Sequence, residues 1–309
     1  MEKLFAVLEI IVPIFATVGL GIAAKRKTLL TTEQVRGLTN FVTKFCLPCV
    51  LFNSCLSATL EAQSLVAMLC SFVTVLVASL LAFRLRKGAF PYHNLPMLFC
   101  AQESGMLGIP LYMTLFGASV AYRIGVLDVA QSFVAISVMA LLAAPAGSSA
   151  SPKEIVKSVF RSPLLLASLC GLALNFTGAI GALERIGVAK LLTATTGFIA
   201  QPISAVMLFC VGYNFSLARG NRQAILRLSA LHFGLFAAAG AVALLLLKGT
   251  GSADRFGIWA VILHFTLPAS YLAPGFARNE EEATVAASVC SLLTVVSLAV
   301  FCIAAIVNA

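Results

Sequence analysis

The chain has 309 residues, of which 60% are hydrophobic and 11% charged, and its mean hydropathy is +1.00. Soluble domains are about half apolar and about a quarter charged, so this composition excludes a soluble globular protein and indicates an integral membrane protein. The net charge of +9 does not indicate nucleic-acid binding. Its basic residues are spread over short connections between apolar runs, which is typical of membrane topology.

Ten apolar runs follow one another along the chain, and each is close to the length of about 20 residues that a helix needs to cross the hydrocarbon core. They predict an all-α membrane protein with ten transmembrane helices and no room for a soluble domain. We number these runs segments 1 to 10, and they cover residues 4–24, 37–57, 64–83, 95–117, 124–144, 163–180, 191–215, 224–247, 257–277 and 284–307. Most Lys and Arg residues fall in the connections that are inside if the N-terminus is outside, so both termini are predicted to be outside.

A weak internal repeat relates the two halves of the chain. Pro48 of segment 2 recurs as Pro202 of segment 7, and the same offset brings Pro110 of segment 4 close to Pro268 of segment 9. Because each half holds five segments, an odd number, the second half enters the membrane from the opposite side. The halves are therefore predicted to be inverted repeats, with these boundaries: 1–150 and 151–309.

Segment 4 contains the pattern that is most typical of a binding site. Gly105, Gly108 and Pro110 stand at bilayer depth, where they interrupt a helix and free backbone groups that must face protein or water. A broken helix points the positive end of its second half at the membrane centre, where it can hold an anion. A simple proline kink is the alternative. The polar residues that we predict to share this site are Gln102, Glu103 and Ser104.

Segment 9 carries a second interruption, at Pro268 and again at Pro274. Two broken helices at corresponding places in inverted halves would cross near the membrane centre and form one central site, with half-helix N-termini that hold a carboxylate. Ser270 and Tyr271 are the polar residues that segment 9 would add to this site, or they would only satisfy backbone groups freed by the prolines.

Ionisable residues inside a membrane are costly and commonly functional. Glu103 lies deepest and next to the break, where desolvation disfavours its charged form, so we predict a role in proton coupling. Asp128 and Gln131 share one face of segment 5, and Asp128 either lines the cavity or is structural. His264, one turn before the break of segment 9, is a third coupling candidate or a hydrogen-bonded interior residue. The ionisable residues expected to be structural are Glu9 and Lys44.

Several motifs of other protein classes are missing from the sequence. It has no phosphate-binding glycine loop followed by lysine, no HExxH, no GxSxG and no acidic metal-binding run. We therefore expect neither an enzyme nor a resident metal or cofactor, and an intramembrane enzyme is a remote alternative.

The run from Gly105 to Leu111 resembles the glycine and proline crossover of the auxin efflux carrier family, which includes bacterial relatives of plant auxin exporters and of malate and malonate permeases. Similar positions occur along the whole chain, and they are Gly19 with Gly21, Lys25 to Lys27, Pro48 with Phe52, Arg161 to Pro163, Pro202 with Gly212, and Pro268 followed by 283–297.

This resemblance implies that segments 1, 2, 6 and 7 form a scaffold, broken at Pro48 and Pro202. Segments 3–5 and 8–10 would form a mobile transport domain that carries a small organic anion at the crossover by an elevator movement. The expected location is the cytoplasmic (plasma) membrane, H⁺ or Na⁺ is the expected coupling ion, and the expected partners are the substrate, the lipid bilayer and a second copy in a homodimer.

The sequence departs from the family at Glu103, where members commonly have asparagine. A carboxylate there would repel an anionic substrate unless it is protonated, so either a proton accompanies the anion or the substrate is not a simple dicarboxylate. An alternative function is a sodium- or proton-coupled cation exchanger, or a carrier similar to bile-acid symporters.

Overall fold

The computed structural model describes residues 2–56, 58, 62–143, 161–217, 221–249, 251 and 253–308. The regular elements in these residues are helical, and an isolated antiparallel β-bridge joins Gln102 to Ala269. The α-helices are α1 Glu2–Arg26, α2 Thr32–Phe41, α3 Leu47–Leu56, α4 Ala62–Leu85, α5 Ile109–Phe116, α6 Tyr122–Ala143, α7 Pro163–Phe176, α8 Ala179–Arg185, α9 Val188–Ala200, α10 Ile203–Asn214, α11 Arg222–Gly249, α12 Arg255–Phe265 and α13 Glu280–Asn308.

Within the described residues, seven helices are long and apolar enough to cross a membrane, and an eighth crossing results if α7 and α8, bent by 79°, count as one. These helices correspond to all predicted segments except 4 and 9, which contain the shorter apolar helices Ser104–Phe116 and Arg255–Phe265. Large apolar side chains cover the outer faces, and Leu20 and Leu245, for example, are 63% and 68% exposed. The prediction of an all-helical, multi-pass membrane protein is confirmed, and the count of ten crossings stays a prediction.

The prolines of segments 2 and 7 interrupt their helices in different ways. A proline ring clashes with the carbonyl group four residues earlier. In segment 2 a wider π-helical turn, Val42–Cys46, precedes Pro48, and the helix continues as α3. In segment 7 the helix ends at Ala200, and α10 begins directly after Pro202. Both predicted proline positions therefore lie at irregularities, but only Pro202 separates two α-helices completely.

The helices pack in two groups. In the first, α1 packs against α10, and α3 packs against α7 and α9. In the second, α4 packs against α6, and α11 packs against α4, α12 and α13. Segment 4 contacts both groups, because its second half packs against α10 as well as α6.

The contact between α1 and α10 depends on glycine. A β-carbon on Gly21 would overlap the backbone of α10 at Phe209 and Tyr213, and one on Gly212 would overlap the backbone of Val18. The two helices therefore approach backbone to backbone, as small residues allow in membranes.

Candidate functional site where segments 4 and 9 cross

Segment 4 changes conformation three times as it crosses the protein. A 3₁₀ turn, Leu95–Leu98, is followed by a stretch without helix up to Glu103, then by a π-helical turn, Ser104–Gly108, and by α5. Pro110 lies within the continuous helix Ser104–Phe116 and follows a wider π-helical turn, as Pro48 does in segment 2. The helix break predicted for this segment is therefore present, and it precedes Gly105 and Pro110 in the chain.

The two glycines of the π-helical turn have different surroundings. A β-carbon on Gly108 would lie 2.6 Å from Leu267 Cδ1 of segment 9, which is too close for a real contact. A β-carbon on Gly105 would lie 3.7 Å from Leu47 Cδ1 of segment 2, an ordinary van der Waals distance. A side chain at Gly108 would thus have to displace the Leu267 side chain, whereas Gly105 faces the first helix group.

Segment 9 is unwound beyond its helical half. Helix α12 ends at Phe265, the chain then runs without helix through Pro268 to Leu272, and a 3₁₀ turn, Ala273–Phe276, follows. Segment 9 therefore presents the C-terminal end of a half-helix to the crossing, and segment 4 presents an N-terminal end. The expectation that half-helix N-termini from both segments hold a carboxylate is wrong for segment 9, because its helix α12 ends before the crossing, Pro268 lies in the unwound crossing and Pro274 follows it.

The two unwound stretches pair as antiparallel strands. Glu103 N–H donates to the Pro268 carbonyl at 2.9 Å, and Ser270 N–H donates to the Ala101 carbonyl at 3.2 Å. On the opposite edge, the Gln131 side chain of α6 binds the Gln102 backbone in the way that a third strand would. Its Oε1 accepts from Gln102 N–H at 2.7 Å and its Nε2 donates to the Gln102 carbonyl at 2.8 Å. Backbone groups that a helix would satisfy are therefore paired at the centre of the protein.

A polar network surrounds this crossing. His264, at the end of α12, hydrogen-bonds Ser104 Oγ through Nδ1 at 3.3 Å and Ser71 Oγ of α4 through Nε2 at 2.9 Å. Gln131 Nε2 also donates to Asp128 Oδ1 at 2.9 Å. His264 is fully buried, and this network joins four segments.

Glu103 connects both crossing segments through its side chain. Its backbone has φ −79° and ψ 66°, the geometry of an inverse γ-turn, which turns the chain into the π-helical turn. Its Oε2 accepts from Tyr271 N–H at 2.7 Å, and its Oε1 accepts from Met106 N–H at 3.4 Å. The carboxylate therefore caps the start of the half-helix in segment 4.

The other polar side chains at the crossing differ in how they are satisfied. Tyr271 OH hydrogen-bonds Thr294 Oγ1 of α13 at 2.6 Å, and Ser270 Oγ accepts from Leu272 N–H at 3.3 Å. Gln102 is 2% exposed, and neither atom of its side-chain amide has a hydrogen-bond partner among the described residues. Since buried polar groups are normally paired, this amide has unused hydrogen-bonding capacity.

The structure brings most of the predicted site residues together and leaves others apart. Those at the crossing are Gln102, Glu103, Ser104, Gly108, Asp128, His264, Pro268, Ser270 and Tyr271. Pro48 and Pro202 lie in segments 2 and 7, outside this network. Glu9 and Lys44 are exposed and make no ion pair with the described residues.

Three residues of the network were missing from the predicted site. Gln131 shares a helical face with Asp128, and that spacing was a usable signal. Ser71 and Thr294 lie in apolar helices, where serine and threonine usually bond their own helix, so nothing in the sequence separates them from other hydroxyl residues.

An ion pair fixes the far end of the helical half of segment 9. Arg123 Nη2 lies 2.8 Å from Asp254 Oδ2, with side chains 8% and 38% exposed. Asp254 also caps α12, because its Oδ1 accepts from Gly257 N–H at 2.7 Å. Asp254 N–H in turn donates to Gln63 Oε1 of α4 at 3.2 Å.

This fold defines a multi-pass membrane protein whose centre is an unwound, polar crossing. The family model described as Membrane transport protein, which is that of the auxin efflux carriers, matches residues 6–159, half of the chain with segments 1 to 5. The chain belongs to the auxin efflux carrier family, as its motifs predict. A comparison with curated proteins finds no match. The relation to bacterial malate and malonate permeases stays a prediction.

Proposed function

We propose that this protein is a secondary transporter that carries small organic anions, such as carboxylates, through the crossing of segments 4 and 9. One observation carries the proposal, namely the buried and unpartnered amide of Gln102 at the crossing. Leaving such a group unsatisfied costs about 1–3 kcal/mol. A carboxylate that accepts from its Nε2 would remove the part of this cost that belongs to Nε2, and the positive end of the half-helix in segment 4 adds a favourable dipole.

The proposal includes ten crossings in two inverted halves of five. The packing of α1 on α10 joins segments 1 and 7, and the packing of α7 on α3 joins segments 6 and 2. If each segment is replaced by its counterpart in the other half, the pair of segments 1 and 7 becomes the pair of segments 6 and 2. The α4–α6 pair likewise becomes the α11–α13 pair. Such matched contacts support a repeat, and the predicted boundary at residues 150 and 151 lies outside the described residues.

The proposal also includes an elevator movement of segments 3–5 and 8–10 against segments 1, 2, 6 and 7. The division of the helix packing into these two groups supports it. Gly105 lies opposite Leu47 on the boundary between the two groups. Because Gly105 has no side chain, it presents a smooth surface at this boundary. Two states that differ in rigid-body position would then expose the crossing to one side of the membrane at a time.

Coupling to protons is assigned to Glu103, Asp128 and His264, which meet at the crossing. A second candidate function, a proton- or sodium-coupled cation exchanger, is favoured by the interaction of the Glu103 and Asp128 carboxylates, because two nearby carboxylates attract a cation. Both functions use the same residues but carry opposite charges across the membrane.

Uptake by purified protein in proteoliposomes tests the proposal. The labelled acids are malate, malonate, succinate and indole acetate, each measured with and without an inward proton or sodium gradient. We expect saturable uptake of at least one acid, and we expect Gln102→Ala to raise its KM about tenfold, as the loss of one buried hydrogen bond to a charged group predicts.

Gln201→Ala is the matched control, because Gln201 is an exposed glutamine at the break of segment 7, outside the crossing. Its KM should equal that of the unchanged protein. If the folded protein takes up none of the acids but exchanges labelled sodium for protons, the organic-anion function is wrong and the cation exchanger is supported.

A further inference from the structure

The carboxylate of Glu103 occupies an anion position of the crossing. It accepts hydrogen bonds from Tyr271 N–H at 2.7 Å and Met106 N–H at 3.4 Å, one from each crossing segment. The Met106 N–H lies in the first turn of the half-helix in segment 4, where free N–H groups and the helix dipole favour a negative charge. The protein thus carries its own carboxylate where an anionic ligand would bind best.

Only the side chain of Glu103 has to move to clear this position. The Glu103 backbone is fixed on both sides, since its N–H donates to Pro268 and its carbonyl accepts from Leu107 and Gly108. The side chain itself is only half-buried. Rotation of the side chain would leave the paired strands intact and release the Met106 and Tyr271 N–H groups.

The groups that face the Glu103 carboxylate supply no permanent positive charge. They are the Asp128 carboxylate of α6, the Tyr271 hydroxyl of segment 9 and the Cys290 thiol of α13. His264 hydrogen-bonds Ser104, the residue that follows Glu103 in the chain. Among the described residues, no lysine or arginine forms an ion pair with Glu103. Two N–H groups and a helix end therefore hold the carboxylate, and these are contacts that another carboxylate can take over.

We infer that Glu103 is a resident competitor of the substrate, which a substrate carboxylate must displace from the Met106 and Tyr271 N–H groups in order to bind. This inference rests on the proposed transport of organic anions. Protonation of Glu103 favours the exchange, because a neutral acid accepts weaker hydrogen bonds than a carboxylate and no longer repels the incoming anion. One proton on the Glu103 oxygen and one substrate carboxylate then enter together, and the charge of the site is unchanged.

Equilibrium binding of the four labelled acids to detergent-purified, full-length protein tests the inference. For the unchanged protein, the Kd of a bound acid should fall as the pH is lowered from about 7.5 to about 5.5, because protonation removes the competitor. For Glu103→Ala, the Kd at pH 7.5 should be about tenfold lower than for the unchanged protein and should fall much less as the pH is lowered.

Two further variants complete the experiment. Glu103→Gln keeps an acceptor oxygen for the cap without the charge, so its Kd should also depend on pH much less than that of the unchanged protein, even if Glu103→Ala is poorly folded. Glu33→Ala removes an exposed carboxylate from α2 and should leave the Kd and its pH dependence unchanged.

The possible results separate the two ideas. If the unchanged protein binds an acid and both Glu103 variants bind it equally well or more weakly, Glu103 is not a competitor and only the inference is overturned. Binding that appears only after Glu103 is replaced supports the inference. If neither the unchanged protein nor the variants bind any of the acids, both the inference and the proposed function fail.

Discussion

Segments 4 and 9 are interrupted where they cross, but they are unwound on opposite sides of the interruption along the chain. Segment 4 has a four-residue 3₁₀ turn before the crossing and the helix Ser104–Phe116 after it. Segment 9 has α12 before the crossing and a four-residue 3₁₀ turn after it. The two halves therefore match in their number of segments, but segments 4 and 9 differ in secondary structure.

This difference places the two helical halves side by side. Phe116, at the end of α5, packs edge to face on Phe256 of α12 at 5.6 Å, and Tyr112 OH donates to the Phe256 carbonyl at 2.9 Å. The two 3₁₀ turns also meet, because Asn94 Nδ2 donates to the Ala273 carbonyl at 3.1 Å. The crossing thus has a helical side and an irregular side. The anchor of segment 9 is the ion pair of Asp254 with Arg123, and the anchor of segment 4 is the Gln131 side chain, which binds the Gln102 backbone.

The largest expected effect concerns the anchor of segment 9. Asp254→Ala should lower the free energy of unfolding by about 3 kcal/mol, because it leaves the buried Arg123 unpaired and removes a helix cap. Thermal unfolding of the detergent-purified protein measures this loss. Asp254→Asn keeps a capping side chain without the charge, so it should lose less. Equal stability of all three proteins would contradict the importance of this anchor.

The next effect concerns the anchor of segment 4. Gln131→Leu should lower the free energy of unfolding by about 2 kcal/mol, because the buried backbone N–H of Gln102 loses its partner and the Gln102 carbonyl keeps only the Ser104 N–H. The uptake rate should fall with it. Gln223→Leu, at an exposed position of α11, is the control and should leave both quantities unchanged. A stable and active Gln131→Leu protein would show that the unwound strand needs only its pairing with segment 9.

The contact between the two segments has a smaller effect. Gly108→Val should lower the free energy of unfolding by about 1–2 kcal/mol, because its side chain must push Leu267 away. It should also slow uptake of the transported acid. Gly105→Ala, in the same turn, should be close to neutral because its β-carbon has an ordinary distance to Leu47. The reverse order of the two variants would contradict the described approach of segments 4 and 9.

The smallest effect on stability is expected at His93, which lies just before segment 4 on the irregular side of the crossing. Burial, and then the positive charges of Arg278 and Arg86, lower the pKa of His93 from its ordinary value. The unfolded chain then takes up a proton at a higher pH than the folded protein, so stability falls as the pH drops below about 6.5. His93→Gln should reduce this fall slightly, as measured by Tm between pH 7.5 and 5.5. An unchanged Tm difference would exclude a contribution from His93.

The apolar runs predict the helix positions well because the bilayer imposes length and hydropathy on each crossing. Gly105, Gly108 and Pro110 predict a break in segment 4, and the break lies just before them in the chain. The repeat does not predict on which side of its break each segment is unwound. Only the additional prolines indicate that side, Pro96 before the crossing in segment 4 and Pro274 after the crossing in segment 9.

The candidate site was predictable in its residues but not in its contacts. Glu103, Ser104 and His264 are noticeable because polar residues are rare in apolar segments. The cap that Glu103 forms on Met106 N–H is local, whereas its contact with Tyr271 N–H depends on how segments far apart in sequence cross. The same is true of the pairing of Gln131 with backbone rather than with another side chain. Local sequence patterns predict that segments 4 and 9 are interrupted, but they do not give these contacts.

The double pairing of Gln102, to Ala269 on one edge and to the Gln131 side chain on the other, has a consequence for motion on the timescale of minutes to hours. Unwound backbone normally opens to solvent easily, so its amide protons exchange quickly with deuterium. The amides of Gln102 and Glu103 both donate to buried acceptors within the protein. They should therefore exchange as slowly as the amides of the neighbouring helices, and the unwound crossing would move as a rigid part of the body that carries it.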